Sequence, residues 1–432
     1  MKEKNIITLD IKEAESKPKK PPNRLKSAVQ MLVYCLCGLL IGIITGGADA
    51  LFGIVLLKIT DFRENYPYWL IPFLAIGGLI ICFLYERFGK EVKNGMAILF
   101  DRVRNERTEI KLRLIPFVTV STWITHLFGG SAGREGVAVQ IGGTLGSFVA
   151  REVRIDKKNS AKILTIAGMA AGFGGLFRTP IAAVFFATEV LCAGALEVTA
   201  LLPALISAYT ASFVSGKLGL EKFTVISDVD FHIDINTFVP FCIAAVCFGI
   251  IGGGFAFVLK NSRKLISKVF PNIYLRIAAG GAAVSIVSLI LYGGRYSGLG
   301  TNLIESAFNN GQIYYWDFLL KFLLTIVTIS VGFQGGEVTP LFAIGAAFGT
   351  SIAIVFNMPV VLFAALGYAA VFGAATNTLI APMFIGAEVF GFRYMPYFFA
   401  VCVIAYIFNG NNCIYSNQIN KQTDSIVLNL KK

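Results

Sequence analysis

Charge is scarce in this 432-residue chain: Asp, Glu, Lys and Arg make up only 15% of it, against 55% apolar and 13% aromatic residues. That balance excludes a soluble enzyme and points to a polytopic, all-α membrane protein. Metal-ligand spacing is also missing. The eight cysteines (35, 37, 82, 192, 242, 247, 402, 413) are scattered, mostly through apolar blocks, and read as small core residues, so no metal and no cofactor is expected. A cleavable signal peptide is not evident either, because the first apolar block is about thirty residues long and lies behind a polar tail.

The charge that is present has a sign and a place. A net charge of +12 would raise nucleic acid as a partner for a soluble protein, but in a membrane chain it follows from the positive-inside bias of cytoplasmic segments. No nucleic acid is expected, and lipid is. Lys17, Lys19, Lys20, Arg24 and Lys26 precede the first apolar block and put the N-terminus in the cytoplasm. Two crossings later the basic stretch from Arg87 to Arg113 returns to the same side, whereas Glu221, Asp228, Asp230 and Asp234 favour the outside. Apolar blocks begin near residues 28, 68, 114, 137, 161, 181, 238, 277, 318, 341, 360, 379 and 397. Several are too short for a crossing of about 20 residues, so the fold includes broken or re-entrant helices buried by protein or facing a wet cavity.

Residues 129–146, GGSAGREGVAVQIGGTLG, place Arg134 and Glu135 between two apolar blocks. An unpaired charge there costs about 2.5–3.5 kcal/mol on insertion scales. The glycines suit an unwound backbone, and the run from Val137 to Ala150 predicts a helix beginning at or near Glu135. A helix start inside a membrane offers free amides and the positive end of a dipole to an anion. A carboxylate is itself an anion, so Glu135 is expected to occupy that site when ionised and to leave it when protonated.

The chain is also duplicated. Residues 168–190 and 367–389 are identical at 11 of 23 positions, including Thr179/Thr378 and Glu189/Glu388, and GIITGG at 42–47 returns as GIIGGG at 249–254. This predicts a tail (1–27), a first repeat (28–220), a polar linker (221–236), a second repeat (237–415) and a C-terminal tail (416–432). Such duplication marks secondary transporters, whose substrates bind between discontinuous helices of the two repeats. Residues 129–146 then correspond to 332–349, where Glu337 precedes Pro340 at a second helix start. Glu189 and Glu388 are expected to bond backbone or the opposite half, Asp49 and His126 to be satisfied polar core residues, and His232 to lie on the surface. The pattern Gly129-x-Ser131-x-Gly133 raises an intramembrane serine hydrolase with His126 as base, but that elbow needs a strand before the serine, and here an apolar helical block precedes it. No enzyme activity is expected.

With these residues in place, the run Gly-Arg-Glu-Gly-x-x-x-Gln-Ile-Gly-Gly at 133–143 resembles the chloride channel and transporter family, the CLC proteins, over residues 28–415. The resemblance implies inverted repeats, a homodimer with one pathway per subunit, anion binding at several helix starts, and Glu135 as the external gate. With only 17 residues after Tyr415, no regulatory domain of the cystathionine type is expected there; the resemblance implies that the Tyr415 hydroxyl faces the central anion. The departures are informative. Where the family carries Gly-Ser-Gly-Ile-Pro, Met96 stands within a residue or two of the serine's place, and Val137 replaces the proline after Gly-Arg-Glu-Gly. The later Gly-x-Phe-x-Pro reads Gly336-Glu337-Val338-Thr339-Pro340, and the second member of the usual Glu-Glu pair is Val190. Together these resemble the fluoride-exporting branch. They imply a bacterial plasma-membrane fluoride/proton antiporter with anion contacts at Met96, Gly136, Val137, Val338, Thr339 and Tyr415, and Glu337 as a second proton acceptor. The alternative is a chloride/proton antiporter or chloride channel.

Overall fold

A computed structural model describes residues 24–420 apart from 94, 106, 154–156, 226–233 and 310. The expected tails up to 23 and from 421, and Asp228, Asp230 and His232 of the linker, lie outside the described residues. The first repeat contains α1 (Arg24–Asn65), α2 (Pro67–Leu70), α3 (Leu74–Phe88), α4 (Met96–Arg104), α5 (Leu114–Leu127), α6 (Glu135–Val153), α7 (Lys157–Phe177), α8 (Pro180–Glu189) and α9 (Leu201–Lys217). The second contains α10 (Ile235–Val269), α11 (Ile273–Ile290), α12 (Thr301–Phe308), α13 (Asp317–Val331), α14 (Val338–Phe356), α15 (Val360–Thr376), α16 (Ile380–Phe390) and α17 (Met395–Ile407). Among the described residues seven helical segments are long and apolar enough to cross a membrane, while α5, α8, α15, α16 and α17 are shorter apolar helices.

The two repeats run in opposite senses about a local two-fold axis. Gly133 and Gly336, matching positions of the two glycine-rich stretches, pair antiparallel: the N–H of each donates to the carbonyl of the other, at 2.5 and 2.8 Å. Phe185 and Phe384, another matched pair, stack with centroids 4.7 Å apart and planes 10° from parallel. Between these points the helices approach closely. A Cβ on Gly142 or Gly146 would run into the backbone of α7, and one on Gly345 or Gly349 into that of α15. Small residues four apart are what such backbone-to-backbone packing in a membrane requires.

Glu189 and Glu388 fasten the far end. Glu189 ends α8, and its carboxylate accepts from the amides of Leu379 (2.6 Å), Ile380 (3.0 Å) and Ala381 (3.2 Å) at the start of α16. Glu388 reciprocates, accepting from Ile181 (3.2 Å) and Ala182 (2.8 Å) at the start of α8. Each repeat thus caps a helix of the other with a negative charge at the positive dipole end.

α9 begins at Leu201, where the sequence reading marks no separate apolar block. The structure corrects two expectations. Asp49 is fully buried, but neither carboxylate oxygen has a hydrogen-bond partner among the described residues, so it is not satisfied. His126 is half-satisfied: Nε2 lies 3.4 Å from the Gly133 carbonyl and Nδ1 has no partner among the described residues. At the basic loop, a hydrogen bond from Lys111 and the charges of Lys111 and Arg151 hold the Glu109 carboxyl below its ordinary value.

Removing the crossed caps should loosen the fold. Glu189→Ala is expected to lose about 1.5–3 kcal/mol of stability, the contribution of hydrogen bonds to a charged group, and to melt earlier in detergent, with Glu189→Gln in between. Equal melting temperatures for the three proteins would refute this role.

Candidate functional site

The break between α5 and α6 is dictated by Gly129, at φ +82°, and Gly130. The matching break between α13 and α14 uses Gly332 (φ +117°) and Gly335 (φ +156°), conformations that side chains rarely adopt. Both helices therefore restart in the middle of the fold, and the Gly133/Gly336 pair holds their starts together.

Glu135 is the first residue of α6 and is fully buried. Its Oε2 accepts from the amide of Thr339 (3.0 Å), in the first turn of α14, and from that of Arg134 (3.0 Å); Oε1 has no partner among the described residues. The carboxylate is thus not locked to the Arg134 guanidinium. Among the described residues, Nε and Nη1 of Arg134 are buried without a partner, and no ion pair joins the two side chains. A negative group sits on the amide end of a helix from the opposite repeat, where a small anion would bind.

Two cavities flank it. One, of about 280 Å³, is lined by Met96, Gly136, Gln140, Arg263, Glu337 and Tyr415 among others. The second, of about 50 Å³, is lined by Arg134, Phe177, Glu221, Glu305, Thr339 and Tyr368 among others. Arg134 lines the narrow cavity and Gly136 the wide one, while Glu135, between them in the chain, is fully buried and lines neither. Of the residues singled out in the sequence, Met96, Gly136, Glu337 and Tyr415 come together in the wide cavity, and Thr339 lies in the narrow one with its buried hydroxyl unpartnered among the described residues. Val137 and Val338 are buried and line neither, and the Val137 amide is used within its own helix turn, donating to the Arg134 carbonyl at 3.2 Å. Met96 opens α4 after Gly95, which adopts φ +46°. Tyr415 is held by ring contacts with Phe100 (5.6 Å) and Phe186 (6.3 Å).

Glu337 is the N-cap of α14, and its Oε1 accepts from Arg263 of α10 at 2.8 Å. It does not meet Glu135; it faces the wide cavity, while Glu135 turns to the Thr339 amide. The hydrolase elbow is absent. Ser131 follows helix α5, and its Oγ lies 2.8 Å from Thr325 Oγ1 and 2.9 Å from Lys321 Nζ rather than against His126.

Four residues of the site escape a reading of the sequence: Gln140, Arg263, Tyr368 and Lys321. Gln140 has a signal, since it stands four residues after Gly136 inside the motif, and its Nε2 donates to the Gly136 carbonyl at 3.0 Å. The others have none, because their partners are distant in the chain.

A family model for the voltage gated chloride channel matches residues 77–410. A chloride/fluoride channel protein of Pseudomonas syringae pv. tomato is 32% identical over 385 residues, 88% of this chain and 84% of that protein. The crystal structure of a CLC-type fluoride/proton antiporter is 48% identical, with a TM-score of 0.89 over 91% of this chain and 99% of that one. A slow cyanobacterial Cl⁻/H⁺ antiporter, 20% identical with a TM-score of 0.75 over 92% and 98% of the two chains, shares the fold.

Gly133 leaves no room for a side chain: a Cβ would lie 2.6 Å from Glu135 Oε2, 2.9 Å from Pro340 Cδ and 3.0 Å from the Gly336 carbonyl. Gly133→Ala is expected to push the carboxylate off the Thr339 amide and to cost about 1–3 kcal/mol of overpacking. Thermal melting together with anion flux checks this, and a variant unchanged in both would contradict the close approach.

Proposed function

The chain belongs to the voltage gated chloride channel family, and from that premise we propose that it exports fluoride in exchange for protons across a bacterial plasma membrane. One observation carries the reading: the buried Glu135 carboxylate occupies the amide end of α14, as a substitute for the transported ion. The 48% identity to a fluoride/proton antiporter supports the choice of ion. The wide cavity faces the cytoplasm in this reading, since Lys93 and Arg263 line it beside the basic stretch from Arg87 to Arg113.

Ionised, Glu135 blocks the path and satisfies the Thr339 amide. A proton on it removes the charge that holds it there, so the side chain leaves and fluoride takes the vacated donors. Fluoride is small and strongly hydrated, and it gives up its water only to a dense set of donors. The Thr339 amide and its unpartnered hydroxyl supply two. In the wide cavity Glu337 receives the proton when Arg263, which is about two-fifths exposed, swings away. Met96 and Tyr415 form the wall against which the partly dehydrated ion rests. We extend the reading to a homodimer with a pathway in each subunit, as the family resemblance implies.

Vesicles loaded with fluoride or chloride, with external anion and pH recorded together, test this directly. Wild type is expected to release fluoride with opposed proton uptake and to discriminate against chloride. Glu135→Gln is expected to lose coupled exchange. A Glu135→Gln variant that still drives protons against fluoride would remove Glu135 from its role, and undiminished coupling in Glu337→Gln would remove Glu337 from the second step.

A further inference from the structure

Lys321 lies on α13 with no exposed surface at all. Its ammonium donates to Ser131 Oγ (2.9 Å) and to the carbonyls of Gly298 (2.7 Å) and Tyr296 (3.0 Å), which exhausts its three protons. All three acceptors are neutral. Arg63, whose charge acts on it, is also positive, and among the described residues no salt bridge joins Lys321 to an acid. A buried ammonium without a countercharge is costly at membrane depth, and a neutral residue could have filled the space.

The acceptors show what the ammonium holds. Ser131 belongs to the broken stretch that ends in Arg134 and Glu135. Gly298 belongs to the loop before α12, and the two strands bridge: Gly298 N–H donates to the Gly130 carbonyl (3.1 Å), and the Gly298 carbonyl accepts from Ala132 N–H (3.2 Å). Two further residues of α13 grip the same serine, Thr325 through its hydroxyl at 2.8 Å and Thr328 by accepting the Ser131 N–H at 3.3 Å. Lys321, Thr325 and Thr328, spaced by four and three residues, form one face of α13 against the gate stretch.

We propose that Lys321 is a positioning residue for the gate: it clamps residues 130–134 to the second repeat. This rests on the proposed exchange function. Ser131, which the sequence offers as a nucleophile, acquires a different role, as the acceptor through which the ammonium holds the backbone leading to Glu135.

Initial rates of fluoride release from vesicles containing the full chain, measured over a range of internal fluoride with protons recorded in parallel, test the role. Lys321→Met keeps the length of the stem and removes the three hydrogen bonds that hold the stretch. Its proton-to-fluoride ratio is expected to fall below that of wild type, and Lys321→Arg is expected to recover part of the loss. A purely structural lysine would lower the maximal rate or the yield of folded protein and leave the ratio alone, so an unchanged ratio in Lys321→Met overturns the proposal. Should Lys321→Met fail to fold, the double variant Ser131→Ala with Thr325→Val retains the ammonium but releases the stretch. Its proton-to-fluoride ratio is expected to fall by about half, and an unchanged ratio refutes the clamp. A wild type that moves chloride instead, with the same loss of proton-to-anion ratio in Lys321→Met, would keep the role of Lys321 and overturn only the choice of fluoride.

Discussion

The hydrogen bond from the Thr339 amide to the Glu135 carboxylate is the contact on which the architecture depends. Two helices that begin at the same point inside a membrane each present about half a positive charge and several unpaired amides. Brought together bare, they repel, and their amides go unsatisfied. An anion between them cures both problems. The chain supplies one on a side chain that can be neutralised, and in the proposed reading this ties opening of the path to uptake of a proton. The rest of the fold holds the helix starts together. The Gly133/Gly336 pair fixes them at the centre, the crossed caps of Glu189 and Glu388 fix the next two helices, and the glycine contacts of α6 with α7 and α14 with α15 set the distance between layers.

Symmetry of backbone is accompanied by asymmetry of chemistry. The Gly133/Gly336 match sets the register of the two stretches, so Glu135 corresponds to Val338, and Glu337 corresponds to Arg134. The two acids are therefore displaced by one residue, and one residue at a helix start turns a side chain by about 100°. This places Glu135 on the opposite helix and sends Glu337 to Arg263 and the wide cavity. If both acids occupied equivalent positions, two carboxylates would compete for one pair of helix ends. The offset gives each acid its own partner, the Thr339 amide for Glu135 and Arg263 for Glu337.

The sequence shows these things unequally. Glu135 is legible because a charge in an apolar run is anomalous wherever it occurs, and the duplication is legible because Thr179/Thr378 and Glu189/Glu388 repeat in register. The partner of the Glu135 charge is not. Arg134, its neighbour in the chain, contributes a backbone amide rather than its guanidinium, because successive residues at a helix start point in different directions. Lys321 is invisible for a related reason: it is a single lysine in an apolar helix, and its three acceptors lie between 23 and 190 residues away. Asp49 shows the converse. Its burial is legible, but burial does not guarantee a donor, and packing against Gly175 of α7 places both oxygens where none of the described residues supplies one.

The unequal cavities add a final constraint. The narrow one, at about 50 Å³, has room for only a few waters, whereas the wide one, at about 280 Å³, can hold an ion with much of its hydration. In the proposed reading a small anion moving from wide to narrow loses its water beside Glu135, where the Thr339 hydroxyl and Nε and Nη1 of Arg134 have no partner among the described residues. The Thr339 amide, which donates to the carboxylate, joins them only as the carboxylate withdraws. Dehydration and gating are then a single event at a single place, and an ion that binds amides too weakly to offset its lost water cannot displace the carboxylate. Selectivity in such a design comes from competition with a built-in anion, and the diameter of the path matters less.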